Sequence, residues 1–231
     1  MSASLRPEQA PGWLEPLLSG VRGVDAAELV RHRLAPPAQG RRASVLVLFG
    51  EDPHHGPDVL LVERASTLRE HAGQVAFPGG GADHTDPDAV ATALREAEEE
   101  AGVEPDGVVP LALLPDLFVP PSGFIVTPVL AHWARPVAVH AVDPRETASV
   151  VRVPIAALTD PAHRIRVRHP SGLTGPAFVT AGLLVWGFTG GLLSALLDRG
   201  GWARPWDTTR VMDLDAAWSA ARAGRQEVAG S

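Results

Sequence analysis

Residues Asp83 to Asp106 carry nine acidic side chains and one arginine, a third of the chain's 27 acids in about a tenth of its length. The segment nevertheless has the marks of a helix over residues 86–101. Asp86 can cap it, Pro87 fits its first turn, and Gly102 is placed to end it. Val90, Ala93, Leu94, Ala97 and Ala101 form one apolar stripe at helical spacing. Glu96, Glu99 and Glu100 are three and four apart, so they project from one face beside that stripe. Like charges at this spacing weaken a helix by about 0.2–0.5 kcal/mol per pair. They also crowd the C-terminal turn, where the macrodipole favours cations. A hard divalent cation reverses the sign of both effects, and Mg²⁺ and Mn²⁺ prefer oxygen ligands of this kind. Taken alone, the helix also reads as a solvated acidic face. What shifts the balance is Phe77-Pro78-Gly79-Gly80-Gly81 just upstream, a tight turn whose backbone can approach a ligand closely.

The rest of the composition removes chemistry. All 20 basic residues are arginine, and Lys, Cys, Tyr and Asn are absent. Thiol nucleophiles, disulfides, zinc knuckles, lysine Schiff bases and a P-loop lysine are therefore excluded. A net charge of −7 argues against nucleic-acid binding through a basic surface. Met1 to Trp13 has no apolar signal-peptide core, and the lack of Cys fits a reducing compartment, so a cytoplasmic location is expected. Ala177 to Leu197 is uncharged and long enough to span a bilayer, but it holds Gly182, Gly187, Gly190 and Gly191. It reads instead as a buried strand (Phe178–Trp186), a glycine break and a buried helix (Thr189–Leu197), with no membrane span.

At 231 residues the chain fits one large domain. Strands are expected at Ser44–Phe49, Val59–Glu63, Gln74–Phe77, Val108–Leu114, Phe124–Trp133, Val150–Val153 and Arg164–Arg168. Short helices are expected at Ala26–His32, closed by Pro36-Pro37, and at Leu214–Ala223, with a turn or helix at Leu158–Ala162 and loop at Glu70–Gly73. Strands outnumber helices without a βαβ rhythm, which predicts a mixed-sheet α/β fold.

The glycine turn and the acidic helix together resemble the Nudix hydrolase family, whose box reads G-x5-E-x7-R-E-U-x-E-E-x-G-U with U apolar. Arg95-Glu96-Ala97-Glu98-Glu99-Glu100-Ala101-Gly102-Val103 fits the second half at every defined position, after Gly80 or Gly81. The acid of the first half falls on Pro87; a one-residue insertion lets Asp86 take its place. Leu60-Leu61-Val62-Glu63-Arg64-Ala65, then Arg69, Gly73 and Phe77-Pro78-Gly79-Gly80, is similar to the signature of the coenzyme A diphosphatase branch, departing only at Val62, where that branch has Thr. Ser122-Gly123-Phe124, Val126 to Val129 and Val185 to Thr189 are similar as well, so the resemblance covers about residues 43–197.

The resemblance implies a Nudix fold, with a mixed β-sheet sandwiched between helices. It places the Nudix domain at residues 41–200, between an N-terminal extension (1–40) and a C-terminal extension (201–231) open to packing or to a homodimer contact. It implies hydrolysis of the diphosphate of coenzyme A and its derivatives to 3′,5′-ADP and 4′-phosphopantetheine products, with Mg²⁺ or Mn²⁺ as cofactor. NADH, ADP-ribose or another nucleotide is the alternative substrate, and a silent nucleotide-binding module the alternative function. Glu96, Glu99, Glu100 and the Gly80 carbonyl would bind metal, Glu99 would activate water, and Arg95 would brace the loop through Asp86. Glu146 is the candidate for a further acid from outside the box. Arg64, Arg69 and His71, just before the glycine turn, are candidate phosphate contacts. Arg164, Arg166 and Arg168 alternate along one strand face, either to meet a 3′-phosphate or to guard a solvated edge. Trp186 and Phe188 read as core, and His54-His55 makes no metal spacing.

Overall fold

The computed structural model describes residues 4–30, 40–66, 72–120 and 122–229. The helices are α1 (Glu15–Val21), α2 (Ala26–Leu29), α3 (Ala89–Ala101), α4 (Ile155–Thr159), α5 (Gly187–Arg199) and α6 (Leu214–Ala229). The strands are β1 (Arg41–Asp52), β2 (Gly56–Arg64), β3 (Val75–Ala76), β4 (Gly79–Gly81), β5 (Val108–Leu113), β6 (Leu117–Val119), β7 (Phe124–Trp133), β8 (Thr147–Pro154), β9 (Arg164–Arg168), β10 (Thr174–Thr180), β11 (Leu183–Val185) and β12 (Val211–Asp213).

Two mixed sheets result. The larger runs β3-β2-β1-β7-β5, with β4 on β1, β6 on β7 and β8 on β2. β1 and β7 are parallel over Arg41↔Phe124 to Phe49↔His132, while β1 and β2 pair antiparallel only from Phe49↔Val59 to Asp52↔Gly56. Past that point they part. β2 takes β3 as a partner and β1 takes β4, with Ser44 opposite Gly80. The glycine turn therefore sits where the two strands splay.

Alternation along the strands sends neighbouring side chains to opposite faces. Leu46, Leu48, Leu60, Val62, Val129, Ala131 and Trp133 face α3, whose Val90, Ala93, Ala97 and Ala101 are buried against them. The small alanines let the helix lie close to the sheet and fix its glutamates beside the splay. Val47, Phe49, Val59 and Leu61 face the other way, onto Leu14 and Leu17 near the N-terminus and Leu192, Leu193, Leu196 and Leu197 of α5. Each fully buried leucine contributes roughly 1.5–3 kcal/mol. The smaller sheet, β11-β10-β9-β12, adds Phe178, Leu183 and Val185 to that core, and it buries Ile165, Val167, Ala177 and Leu184 under Ala217 and Ala221 of α6. This is the mixed-sheet α/β architecture expected from the sequence.

Several local expectations are corrected. Phe178–Trp186 is not one strand but a hairpin. β10 ends at Thr180, and Ala181 (φ 51°) and Gly182 (φ 72°) turn the chain into β11. The uninterrupted apolar run conceals a turn that Gly182 supplies without strain. Helix α5 starts at Gly187 rather than Thr189, and α6 runs six residues past Ala223. Asp88, not Asp86, caps α3 by accepting from the Ala91 amide, because the Asp86 carboxylate is held elsewhere. Strand β9 is no edge: it lies between β10 and β12. Its arginines do not share one environment either. Arg164 is buried between Phe178 and Trp206 with Nη2 donating to Ser194 at 2.6 Å, whereas Arg168 is exposed and 3.4 Å from Asp213. The helix predicted to Arg31-His32, and Pro36-Pro37, extend outside the described residues. Among the described residues no helix is long and apolar enough to cross a membrane.

Candidate active site

The site is assembled from the glycine turn, α3 and the end of β2. On β4, consecutive residues address opposite sides of the sheet. A Cβ on Gly80 would stand 2.5 Å from the Glu96 carboxylate, so any side chain there is excluded by the acid packed against the strand. Gly79, at φ 159°, would drive a Cβ to 2.3 Å from the Ser44 carbonyl oxygen. The Gly79 amide donates to Glu100 Oε2 at 3.0 Å, which ties the start of β4 to the last turn of α3.

Arg95 organises the exposed half of the site. Its Nε and Nη2 donate to both oxygens of Asp86, at 3.1 and 2.9 Å, and Nη2 also donates to the Gly81 carbonyl at 3.0 Å. Its Nη1 donates to Glu96 at 2.9 Å and to Glu99 at 3.0 Å. One guanidinium thus joins the loop before α3, the glycine strand and two acids of the helix, using the planar fork that a lysine lacks. The bidentate contact holds the Asp86 carboxyl far below the usual carboxylate range. Asp86 reaches Arg95 despite being a methylene shorter than Glu.

Among the described residues, the buried half is short of positive charge. Glu100 has 10 % of its side chain exposed, and burial pushes its carboxyl up to about 7. The Gly79 amide and Arg64 oppose that rise, while Glu96 and Glu146 add to it. The Glu96 carboxyl is also raised, first by burial; Arg95 pulls it down, while Glu99 and Asp86 push it up. Arg64 Nη1 stands 3.8 Å from Glu100, too long for a hydrogen bond, and Arg64 Nε is buried without a partner among the described residues. Glu146 is exposed on the loop before β8, and its backbone carbonyl accepts from the Ala65 amide at 2.8 Å.

Sequence reasoning thus brings Gly80, Arg95, Glu96, Glu99, Glu100, Arg64 and Glu146 into one neighbourhood, with Glu99 the most exposed of the three helix glutamates. Arg69 and His71 lie outside the described residues. Missed from sequence were the Gly81 carbonyl contact of Arg95 and the Gly79 amide contact of Glu100, which spacing does not reveal. Also missed was Glu63, which accepts from Ser149 at 2.8 Å and Arg225 of α6 at 2.9 Å, fastening the C-terminal helix beside Arg64.

The donor set suits a hard divalent cation: carboxylate oxygens, two of them raised by burial and mutual repulsion, beside a strand with no side chain in the way. The side chains are not drawn together as a finished cage. No group of three acidic or imidazole side chains able to hold an ion occurs among the described residues. Glu96 and Glu99 instead rest on Arg95, and a cation would draw them from it.

The chain is 45 % identical over 116 residues to the "Uncharacterized Nudix hydrolase NudL" of Cronobacter sakazakii, covering 50 % of this chain and 58 % of that one. It is 45 % identical over 122 residues to the protein of the same name from Pectobacterium atrosepticum, covering 53 % and 62 %. The chain therefore spans about three fifths of the length of these curated relatives. A crystal structure of a NUDIX hydrolase from Nitrosomonas europaea aligns over 77 % of this chain and 81 % of its own, with TM-score 0.48 and 13 % identity. The model of the NUDIX domain matches residues 39–171, more than half of the chain, and takes in the glycine turn, α3 and Glu146: the chain belongs to the Nudix family.

Proposed function

We propose that this protein is a metal-dependent diphosphatase that cleaves coenzyme A and its derivatives to 3′,5′-ADP and 4′-phosphopantetheine products. The observation that carries the reaction class is the surplus of negative charge where Glu96, Glu99 and Glu100 meet the glycine turn. Burial raises two of these carboxyls, Glu96 and Glu100, and neighbouring acids add to the rise against the pull of Arg95 and Arg64. The substrate class rests on the stretch from Leu60 to Gly80, which follows the coenzyme A branch pattern except at Val62.

The chemical difficulty is attack of water on a phosphorus ringed by negative oxygens. Bound Mg²⁺ or Mn²⁺ supplies charge neutralisation and a template for the attacking and leaving oxygens. Glu96, Glu99, Glu100 and the Gly80 carbonyl would hold it. Glu99, the exposed member, accepts the proton of the attacking water, and Glu146 assists from the neighbouring loop. Arg95 ties the glycine strand, Asp86 and the helix together, so the backbone that carries the acids is held in place. Arg64, whose Nη1 lies 3.8 Å from Glu100, would meet a substrate phosphate.

The test is a substrate panel. Purified protein is assayed on coenzyme A, NADH and ADP-ribose with Mg²⁺ and with Mn²⁺. Coenzyme A should show the highest kcat/KM. A clear preference for ADP-ribose or NADH would replace the substrate, and no turnover of any diphosphate would replace the reaction.

A further inference from the structure

The two glycines that follow Gly79 open the turn in two directions. Gly80 makes room for Glu96 on the α3 side of the sheet. Gly81, one residue on, faces the opposite side, and a Cβ there would lie 3.8 Å from the ring of Phe124. Phe124 begins β7 and pairs in register with Arg41, the first residue of β1. The Arg41 guanidinium lies 4.2 Å from the Phe124 ring centroid, and its Nη2 donates to the Ser122 carbonyl at 2.7 Å.

The neighbouring Arg42 shows what is unusual here. Arg42 projects to the other face and is neutralised by Asp116 at 2.6 Å, itself held by Thr127 at 2.6 Å. Arg41, among the described residues, has no carboxylate partner. Its guanidinium lies over an aromatic ring and donates to one backbone carbonyl, while the residue stays exposed to solvent. An exposed guanidinium over a ring, with no carboxylate partner among the described residues, offers a surface on which a nucleobase stacks. From Ser44, opposite Gly80, to Arg41 is three strand residues, roughly 10 Å. That places Arg41 at the same end of β1 as the glycine turn, around the strand edge from the face that carries Glu96.

We propose that Arg41, supported by Phe124, is the platform that receives the nucleobase of a nucleoside diphosphate substrate, with the diphosphate at the glycine turn. This rests on the diphosphatase reading above and adds the residue pair that favours a nucleotide over a base-free diphosphate. It also gives Phe124 a role, because its ring supports the guanidinium while the Ser122 backbone carbonyl accepts from the guanidinium edge.

Wild type, R41A, R41K, F124L and F124W are compared by two readouts, each after thermal melting shows that the variant folds. The first is the ratio of kcat/KM on coenzyme A to that on 5-phosphoribosyl 1-diphosphate, which has no base. The second is calorimetric affinity for 3′,5′-ADP without metal. R41A should lower both the ratio and the affinity about tenfold or more, the size of one lost base stack. R41K, which keeps the charge and loses the plane, should resemble R41A; F124L should fall in the same direction and F124W should stay near wild type. A ratio and an affinity unchanged in R41A and F124L would overturn the proposal. So would R41K behaving as wild type, which would make Arg41 a phosphate contact. If wild type hydrolyses nothing, the diphosphatase reading fails, and the affinity series alone decides the platform: no binding of 3′,5′-ADP by wild type, or equal binding by R41A, sinks it.

Discussion

Strands β1 and β2 carry acids and arginines at both of their ends. At the hairpin end, Asp58 is completely buried. It meets Arg152 Nη2 at 2.8 Å and His55 Nε2 at 3.0 Å, while His55 Nδ1 meets Asp52 at 3.1 Å. Arg152 in turn stacks over Trp133, 5.1 Å from its centroid. Burial pushes the Asp58 carboxyl up, and its neighbours Arg152 and His55 pull it down. At the splayed end, burial raises Glu100 in the same way, but two of its neighbours, Glu96 and Glu146, push it further. Burial alone therefore does not mark a functional acid. The mark is the sign of what surrounds it: the side chains facing Asp58 pull its carboxyl down, whereas among the described residues two acids facing Glu100 push its carboxyl further up.

The largest expected difference between the ends is in turnover. E99Q and E100Q should each lower kcat on coenzyme A with Mn²⁺ by about 10²–10⁴-fold while thermal melting stays at or above wild type. Loss of the fold in either variant would mean that these acids serve structure, and the contrast between the ends would vanish. The hairpin end should respond in the opposite way. D58A leaves Arg152 buried without its closest partner, so urea unfolding should show a loss of about 3–5 kcal/mol. Activity per folded molecule should hold, because Asp58 lies at the far end of the strands from the glycine turn.

The two clusters also differ in how far they were legible before folding. The glycine-turn acids announce themselves because they are packed into 24 residues of sequence. A helix converts their spacing into a shared face, and Gly102 does adopt the left-handed conformation that ends it, at φ 68°. The hairpin cluster is hidden because Arg152 comes from β8 and meets Asp58 only through the β2–β8 pairing. His54-His55 shows no metal spacing in sequence, and in the fold His55 serves two carboxylates instead. The same limit explains Arg164. Alternation suggested a row of solvated guanidinia, but β12 arrives from 43 residues beyond β9 to cover the edge, and α5 and Trp206 bury the first arginine. Local periodicity names faces; which face is covered depends on elements far along the chain.

The charge surplus should also show in stability without any substrate. The Glu100 carboxyl is raised from 4.5 to about 7 in the folded chain. A group with a raised folded pKa contributes its stability fully below the unfolded value and loses it as pH rises through the folded one. Metal-free wild type in EDTA should therefore lose stability between pH 5 and 8 through this group, and E100Q should not. The gain of E100Q over wild type should grow across that window by about 1–3 kcal/mol. Asp86 has the opposite sign, held low by Arg95, so its contribution disappears only as pH falls below about 4 and does not mask the effect. Urea titrations at pH 5 and 8 measure it; equal differences at the two pH values would mean that folding does not raise the Glu100 carboxyl.

The smallest effect belongs to Glu146, because only its charge reaches the cluster. It is exposed, its carbonyl is fixed by the Ala65 amide, and it is the last and weakest of the five influences on Glu100. As an assisting ligand or base it should matter less than an acid of α3, so E146Q should lower kcat by about tenfold, equivalent to about 1.4 kcal/mol in the barrier. A purely electrostatic bystander would behave differently: neutralising it would leave kcat at the wild-type value with both Mg²⁺ and Mn²⁺. That result would withdraw Glu146 from the reaction and confine the functional surplus to α3, drawing the line between the two clusters at the helix itself.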